Sequence, residues 1–292
     1  MRYTIKICDK KIALEIPPEI KITEYGKAAK FLSEDKSGAA DHLCFFEIVN
    51  KIPEISGDIL YISESVEISF INGKYYRFYK EYNKETPVAC LINDAYETGT
   101  HISNVLIKQD FVRFINSLDI CLNFIGFEEI ITGLGMLMMH ASAIIYKNEA
   151  ILFSAPSNTG KSTQSELWRN IKKAEYINGD KTAIYMSTHS RILACGIPFS
   201  GMSAVCENIS APLKAIVFLS QSTVNSIKTP DEKTAFKLML KNAVYNEWDI
   251  NKLLPVMDII EKTIKTADIV EFGCVPDESA VNALDGYLYP NQ

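Results

Sequence analysis

The residues best suited to chemistry lie in one short segment, Gly160-Lys161-Ser162-Thr163. With the residues before it, the segment reads APSNTGKST from Ala155, and it matches the pattern G-x-x-x-x-G-K-[ST] except at the first position, where alanine replaces glycine. In such a loop, successive backbone N–H groups surround phosphate oxygens, and the following helix adds unpaired N–H groups and a partial positive charge. The segment therefore predicts a phosphate-binding loop, against the simpler interpretation of a polar turn that caps a helix.

Each residue of the loop has a predicted part in holding phosphate. Gly160 permits the backbone torsions and the close approach that a phosphate needs. The Lys161 ammonium would act as a point charge on the transferred or bridging phosphate, and the Ser162 hydroxyl would be a magnesium ligand, with Thr163 beside it. A methyl group at Ala155 is compatible with the loop if the backbone φ there is negative. The predicted nucleotide-binding residues are Ser157, Asn158, Thr159, Gly160, Lys161, Ser162 and Thr163.

The elements that must position this loop are two strands before it and a helix after it. His140 opens an apolar run that ends at a turn, residues 147–149, and residues 150–153 form a second apolar run. The stretch QSELWRNIKK after the loop is compatible with a helix. Strand, loop and helix in this order are the context that the phosphate-loop pattern requires.

Asp180 is the second candidate for chemistry. It follows a short predicted strand, residues 174–177, which comes after the loop helix. An acid at this place could contact magnesium or act as a general base on the acceptor. The alternative is a plain Gly-Asp turn between two strands, and the spacing does not decide between them. Residues 196–203 form a Gly/Pro/Ser loop of the type that lines active sites.

Composition and charge exclude several classes of protein. The chain has 292 residues, which is long enough for two domains, with 47% hydrophobic and 23% charged residues. A net charge of -6 argues against general binding to nucleic acid or to an anionic membrane. The N-terminus lacks the continuous apolar core of a signal peptide, and the longest apolar run, residues 130–145, is short for a bilayer span. We therefore expect a cytoplasmic protein with no nucleic-acid or membrane partner.

The pattern of apolar residues predicts two domains with different structure. Residues 1–108 contain short β-branched and aromatic runs between turn residues, and Asn72-Gly73 predicts a tight hairpin turn. Residues 110–139 change to three- and four-residue spacing, which predicts a helical connector. We expect a strand-rich domain over residues 1–108 and a nucleotide-binding domain with its connector over residues 109–292.

Five separated motifs together resemble a known family. They are HASAI, APSNTGKST, NGDK, GIPFSG and PLKAIVFL, and the resemblance that they carry covers residues 138–285. In this order they are similar to the HPr kinase-like branch of the phosphoenolpyruvate carboxykinase fold. The resemblance implies an α/β core with a mixed sheet flanked by helices, which binds ATP and magnesium. The first 110 residues carry no motif that matches this family.

The resemblance also implies roles for individual residues. Lys161 matches the phosphate lysine, Ser162 the metal-binding hydroxyl, and Asp180 an acid of a paired-aspartate motif, as a second metal ligand or catalytic group. Gly179 departs from the pattern, because two aspartates are usual where this chain has one. His140 matches a histidine that opens the strand before the loop, as an auxiliary acid, base or phosphate contact. The alternative for His140 is a strand histidine satisfied by a backbone carbonyl.

The implied activity is a kinase, an ATP-dependent transfer of phosphate to a hydroxyl. The peptide-modifying kinases of that fold suggest a serine of a peptide or small protein as the acceptor, with the loop at residues 196–203 and Lys214 lining the acceptor or nucleotide side. A small-molecule kinase of the same fold, a plain NTPase and a catalytically weak nucleotide-binding regulatory or partner protein are the alternatives. Ala155 and the single aspartate favour the regulator, whereas the retained Gly-Lys-Ser-Thr segment disfavours it. The resemblance also suggests a homo-oligomer.

Overall fold

The structure is a computed structural model that describes all residues except 35–37, 82, 85, 95–100, 157–158, 188–190, 202 and 291–292, and the side chain of Asn251. The described residues divide into two compact units. The first comprises Met1–Ile130 with Glu247–Ile250, and the second comprises Ile131–Asn246 with Asn251–Gln292.

The first unit is built on a mixed sheet, which in the described residues has eight strands in the order β1-β2-β3-β8-β7-β6-β5-β4. Its strands are β1 Arg2–Ile7, β2 Lys10–Glu15, β3 His42–Val49, β4 Asp58–Ile62, β5 Val66–Ile71, β6 Lys74–Lys80, β7 Pro87–Asp94 and β8 His101–Lys108. Two short 3-10 helices, Gly26–Phe31 and Gln109–Phe114, and the helices α1 Leu118–Leu122 and α2 Phe127–Gly133 complete it.

The predicted hairpin is confirmed. Asn72 and Gly73 have φ values of 51° and 76°, and strands β5 and β6 pair antiparallel on either side of them. Both residues are types that adopt positive φ at low cost, which lets the turn follow the twist of the strands.

The second unit holds a mixed sheet with helices on both faces. Its strands are β9 Met136–Tyr146, β10 Glu149–Ser154, β11 Glu175–Asn178, β12 Lys181–Met186, β13 Ile192–Cys195, β14 Ser210–Gln221, β15 Ser226–Lys228, β16 Ala243–Val244 and β17 Asp268–Cys274. Its helices are α3 Lys161–Lys172, α4 Glu232–Asn242, α5 Ile250–Thr266 and α6 Glu278–Leu288. Strand β10 pairs antiparallel with β9 and parallel with β14.

Two apolar layers cover the faces of this sheet. On one face, Leu152 and Ile216 pack in a core that includes Met239 of α4 and Ile260 of α5. On the other face, Phe153 and its neighbours pack with Trp168 of α3 and Leu284 of α6. The expected arrangement of a mixed sheet flanked by helices is therefore present, which supports the α/β fold class. Among the described helices, none combines the length and the apolar character that a membrane crossing requires.

The sequence predicts a helical connector as far as residue 139. This prediction is wrong for the last four residues, which belong to a strand. Strand β9 begins at Met136, and Leu137 and Met139 are fully buried in the sheet. Leu and Met favour helices in isolation. Burial between neighbouring strands overrides that preference, because Met139 pairs with Thr182 of β12 and also with Ala243 of β16.

Candidate functional site

The predicted phosphate loop joins the end of β10 to the start of α3. Strand β10 ends at Ser154 and helix α3 begins at Lys161, so the strand, loop and helix occur in the expected order. Gly160 precedes the helix with φ 120° and ψ 10°, a conformation that side-chain-bearing residues rarely adopt. Ser157 and Asn158, which the sequence includes among the nucleotide-binding residues, lie outside the described residues.

Alanine at the first loop position fits its surroundings. Ala155 is not among the described non-glycine residues with positive φ, so its methyl group creates no backbone conflict. The methyl group is buried in the apolar layer that contains Phe153 and Trp168. The side chain at this position therefore helps to attach the loop to the core.

Lys161 folds back over the loop that precedes it. Its ammonium donates hydrogen bonds to the carbonyl oxygens of Ala155 at 2.8 Å and Pro156 at 3.4 Å. An ammonium held by neutral carbonyl oxygens can exchange them for an anion, because opposite charges attract each other directly.

The loop and Asp180 line the same cavity, which has a volume of about 730 Å³. Its volume is within the range of small-molecule and cofactor sites. The lining residues come from the loop and the first turn of α3, from the turn after β11, from the ends of β14 and β17, and from Ser203. They are Thr159, Gly160, Lys161, Ser162, Thr163, Gln164, Gly179, Asp180, Ser203, Gln221, Ser222, Cys274 and Pro276.

Lys214 does not line this cavity, contrary to the expectation from the sequence. The cavity lies at the end of β14 marked by Gln221, whereas Lys214 is near the opposite end of that strand. There the Lys214 ammonium pairs with Asp268 at 2.9 Å. At about 3.3 Å of rise per residue, the two ends of the strand are too far apart for Lys214 to reach the cavity.

His140 lies within electrostatic range of the same charged groups without lining the cavity itself. Its partial burial lowers the pKa of the imidazole, the positive charges of Lys181 and Lys161 lower it further, and Asp180 acts in the opposite direction. Lys181 is the residue opposite His140 in the β9–β12 pair. The lowered pKa keeps His140 uncharged at neutral pH, so it can exchange a hydrogen bond but adds no positive charge.

Asn178 holds the turn that carries Asp180, and it was missed by the sequence interpretation. Its buried side-chain oxygen accepts hydrogen bonds from the backbone N–H groups of Asp180 at 3.1 Å and Lys181 at 3.2 Å. Its amide nitrogen donates to the carbonyl oxygens of Ile197 at 2.9 Å and Phe199 at 3.0 Å. One side chain therefore fixes both the aspartate turn and the loop at residues 196–203. The only signal in the sequence was a polar residue at the end of an apolar strand.

Replacement of Asn178 by alanine is expected to lower the free energy of unfolding by roughly 2–4 kcal/mol, because it leaves buried backbone N–H and carbonyl groups without partners. Thermal or urea unfolding measures this loss. Asn170→Ala, at an exposed position of α3, is the matched control and should change stability little. Equal stability of the two variants would contradict the role given to Asn178.

The loop at residues 196–203 packs directly on the aspartate turn. Gly201 has φ 52°, and a Cβ atom there would lie 2.4 Å from Asp180 Oδ2. A Cβ atom at Gly179 would lie 1.9 Å from Ser203 Oγ. A side chain at position 179 would therefore collide with Ser203.

Buried hydroxyl groups connect α3 to the strands beneath it. Ser142 Oγ of β9 is 2.7 Å from Ser165 Oγ of α3 and donates to the carbonyl oxygen of Asn178 at 3.2 Å. Gln164 is buried beside the cavity, where its amide nitrogen donates to the carbonyl oxygen of Val275 at 3.4 Å. These contacts fix the first turns of α3 relative to the Asp180 turn.

No family profile and no curated protein sequence matches the chain. Among solved structures, the chain is similar to the Hpr(Ser) kinase/phosphatase from Coxiella burnetii, with 12% sequence identity and a TM-score of 0.30. The similarity covers 53% of this chain and 88% of that protein. The functional interpretation therefore depends on the residues of the cavity themselves.

Proposed function

We propose that this chain is an ATP- and magnesium-dependent kinase that transfers phosphate to a hydroxyl of a peptide or small protein. The observation that carries the proposal is that Lys161, Ser162 and Asp180 line the same cavity. A cation, a hydroxyl at a helix N-terminus and a carboxylate are the groups that phosphoryl transfer requires around the reacting phosphate.

The donor atoms of the cavity suit a nucleotide with magnesium. The N–H groups at the start of α3 and the Lys161 ammonium are complementary to phosphate oxygens. The Ser162 hydroxyl and the Asp180 carboxylate would hold magnesium, which prefers oxygen ligands and binds through few protein groups together with substrate phosphates. Within the described part of the chain, no group of three or more His, Cys, Asp or Glu residues is arranged to hold a metal ion. The oxygen donors of the cavity therefore fit a magnesium ion that is bound jointly by the protein and the nucleotide phosphates. Bound magnesium would neutralise part of the negative charge of the phosphates.

In the proposed reaction, Lys161 offsets the negative charge on the transferred phosphate. Asp180 would orient the acceptor hydroxyl and accept its proton as the oxygen attacks phosphorus and the bond to the leaving phosphate breaks. Asn178 would hold the backbone of the Asp180 turn, and Gly201 would leave room for the carboxylate. His140 would serve as an auxiliary hydrogen-bonding group. The choice of a peptide as the acceptor rests on the sequence resemblance to kinases that act on peptides.

Labelled phosphate transfer tests the proposal. The protein is incubated with γ-labelled ATP, magnesium and serine-containing peptides or small proteins encoded near its gene, and the label is followed in both acceptor and inorganic phosphate. Label in an acceptor supports the kinase. Label released only as inorganic phosphate indicates an NTPase, and tight ATP binding with neither product indicates a regulatory nucleotide-binding protein.

Gly201→Ala is expected to reduce transfer by roughly tenfold or more, because a misplaced catalytic group is costly even at small displacements. The added methyl group would push against the Asp180 carboxylate, and the positive φ would add strain. Steady-state rates at saturating ATP measure the effect. Gly286→Ala in α6 is the control, since a Cβ atom there meets nothing within 4 Å. If Gly201→Ala kept full activity, the position of the Asp180 carboxylate beside Gly201 would not matter for transfer, and its catalytic role would be contradicted.

A further inference from the structure

The strand-rich unit leaves an apolar strand exposed at the edge of its sheet. Strand β4 is last in the strand order and pairs with β5 on one side. All of its residues are exposed, and the large side chains Ile59, Leu60, Tyr61 and Ile62 have exposed fractions of 62%, 38%, 47% and 64%. Edge strands normally carry charges or are covered, because their free N–H and carbonyl groups pair readily with another chain. Among the described residues no strand pairs with the other side of β4, and an exposed apolar edge of this kind is suited to a binding partner.

The backbone groups of β4 that face away from β5 can be identified at Ile62. Ile62 pairs with Glu67, and the pairing continues at the next residue, where the N–H group of Ser63 donates to the carbonyl oxygen of Val66 at 2.8 Å and so points toward β5. Backbone groups of successive residues in a strand point in opposite directions. The N–H and carbonyl groups of Ile62 therefore face away from β5 and can pair with a further strand.

The size and charge of this edge favour a short peptide over a second copy of the chain. A stable dimer buries about 800 Å² on each partner through roughly 20–30 residues, far more than one short strand provides. An extended peptide needs only main-chain hydrogen bonds and a few side-chain contacts. Asp58 is the first residue of the strand and Glu64 lies two residues after its last one, and both are exposed, so basic residues would complement them.

We propose that β4 binds the acceptor peptide as an added strand of the sheet. The ligand class is an extended segment with alternating β-branched or aromatic residues and a Lys or Arg near its ends. This inference rests on the proposed kinase function for the identity of the ligand as acceptor.

The test uses the full-length protein and a library of fluorescent peptides with one fixed serine and varied neighbours. Binding is measured by fluorescence anisotropy without ATP, so that it does not depend on transfer. We expect selection of alternating apolar residues with flanking Lys or Arg. Ile62→Pro removes the outward N–H group, which an edge strand tolerates, and should weaken the selected peptides by roughly tenfold or more. Methylation of alternate peptide nitrogens should have a comparable effect.

Two further variants keep the result interpretable if Ile62→Pro disturbs the fold. Ile62→Lys should also weaken binding by roughly tenfold, whereas Leu254→Lys, at an equally exposed position (61%) of helix α5, should not. Peptides that bind wild type and both Ile62 variants equally would overturn the proposal. So would a wild-type dimer that Ile62→Lys converts to a monomer without any peptide binding, because the occupant would then be a second copy. Phosphate transfer with a KM unchanged in the Ile62 variants would reject docking at β4 and leave the kinase assignment intact.

Discussion

Replacement of Lys161 by alanine is expected to lower phosphate transfer from ATP by roughly tenfold or more, because it removes a positive charge from the site where phosphate charge must be stabilised. The fold should survive, since Lys161 is only half-buried and its ammonium contacts only carbonyl oxygens of its own loop among the described residues, those of Ala155 and Pro156. Initial rates with γ-labelled ATP measure the loss, and the midpoint of thermal unfolding shows whether the fold is retained.

A second lysine variant serves as the control for Lys161→Ala. Lys233 is exposed in the first turns of α4 and does not line the cavity. Lys233→Ala makes the same change in net charge and should transfer phosphate at the wild-type rate. If Lys161→Ala matched this control in activity, the assignment of the phosphate loop would be wrong.

Asp180→Asn is expected to reduce the transfer rate by roughly 10²-fold or more, the range for loss of a general base, while ATP still binds. The amide keeps the shape of the side chain but cannot accept the acceptor proton, and it is a weaker magnesium ligand. Rates measured at saturating ATP over a range of magnesium concentrations separate the two effects, since weaker metal binding is restored by more magnesium and the loss of a base is not. Asp258→Asn, on the exposed side of α5, is the matched control.

The segment around the loop could be predicted from local sequence, because each of its signals acts over a few residues. The glycine before α3, the turn after β9 and the apolar strand β10 are all local patterns, and each lies where it was expected. The start of β9 could not be predicted in this way. Leu137 and Met139 have the composition of a helix, and only contacts with β12 and β16 make them a strand.

The support around Asp180 could not be predicted because it depends on residues that are distant along the chain. Asn178 acts through carbonyl groups of Ile197 and Phe199, and Gly201 acts by leaving room for the Asp180 carboxylate. Neither requirement leaves a recognisable spacing in the sequence. The glycine at position 179 likewise depends on a distant residue, because a Cβ atom there would collide with Ser203.

Equilibrium binding of ATP, with and without magnesium, tests most directly whether this cavity is a nucleotide site. Fluorescence of an ATP analogue or calorimetry would be applied to wild type, Lys161→Ala and Lys233→Ala. We expect ATP to bind wild type and Lys233→Ala more tightly in magnesium, and to bind Lys161→Ala more weakly by roughly tenfold. An ATP affinity that is the same in all three proteins and independent of magnesium would contradict the account.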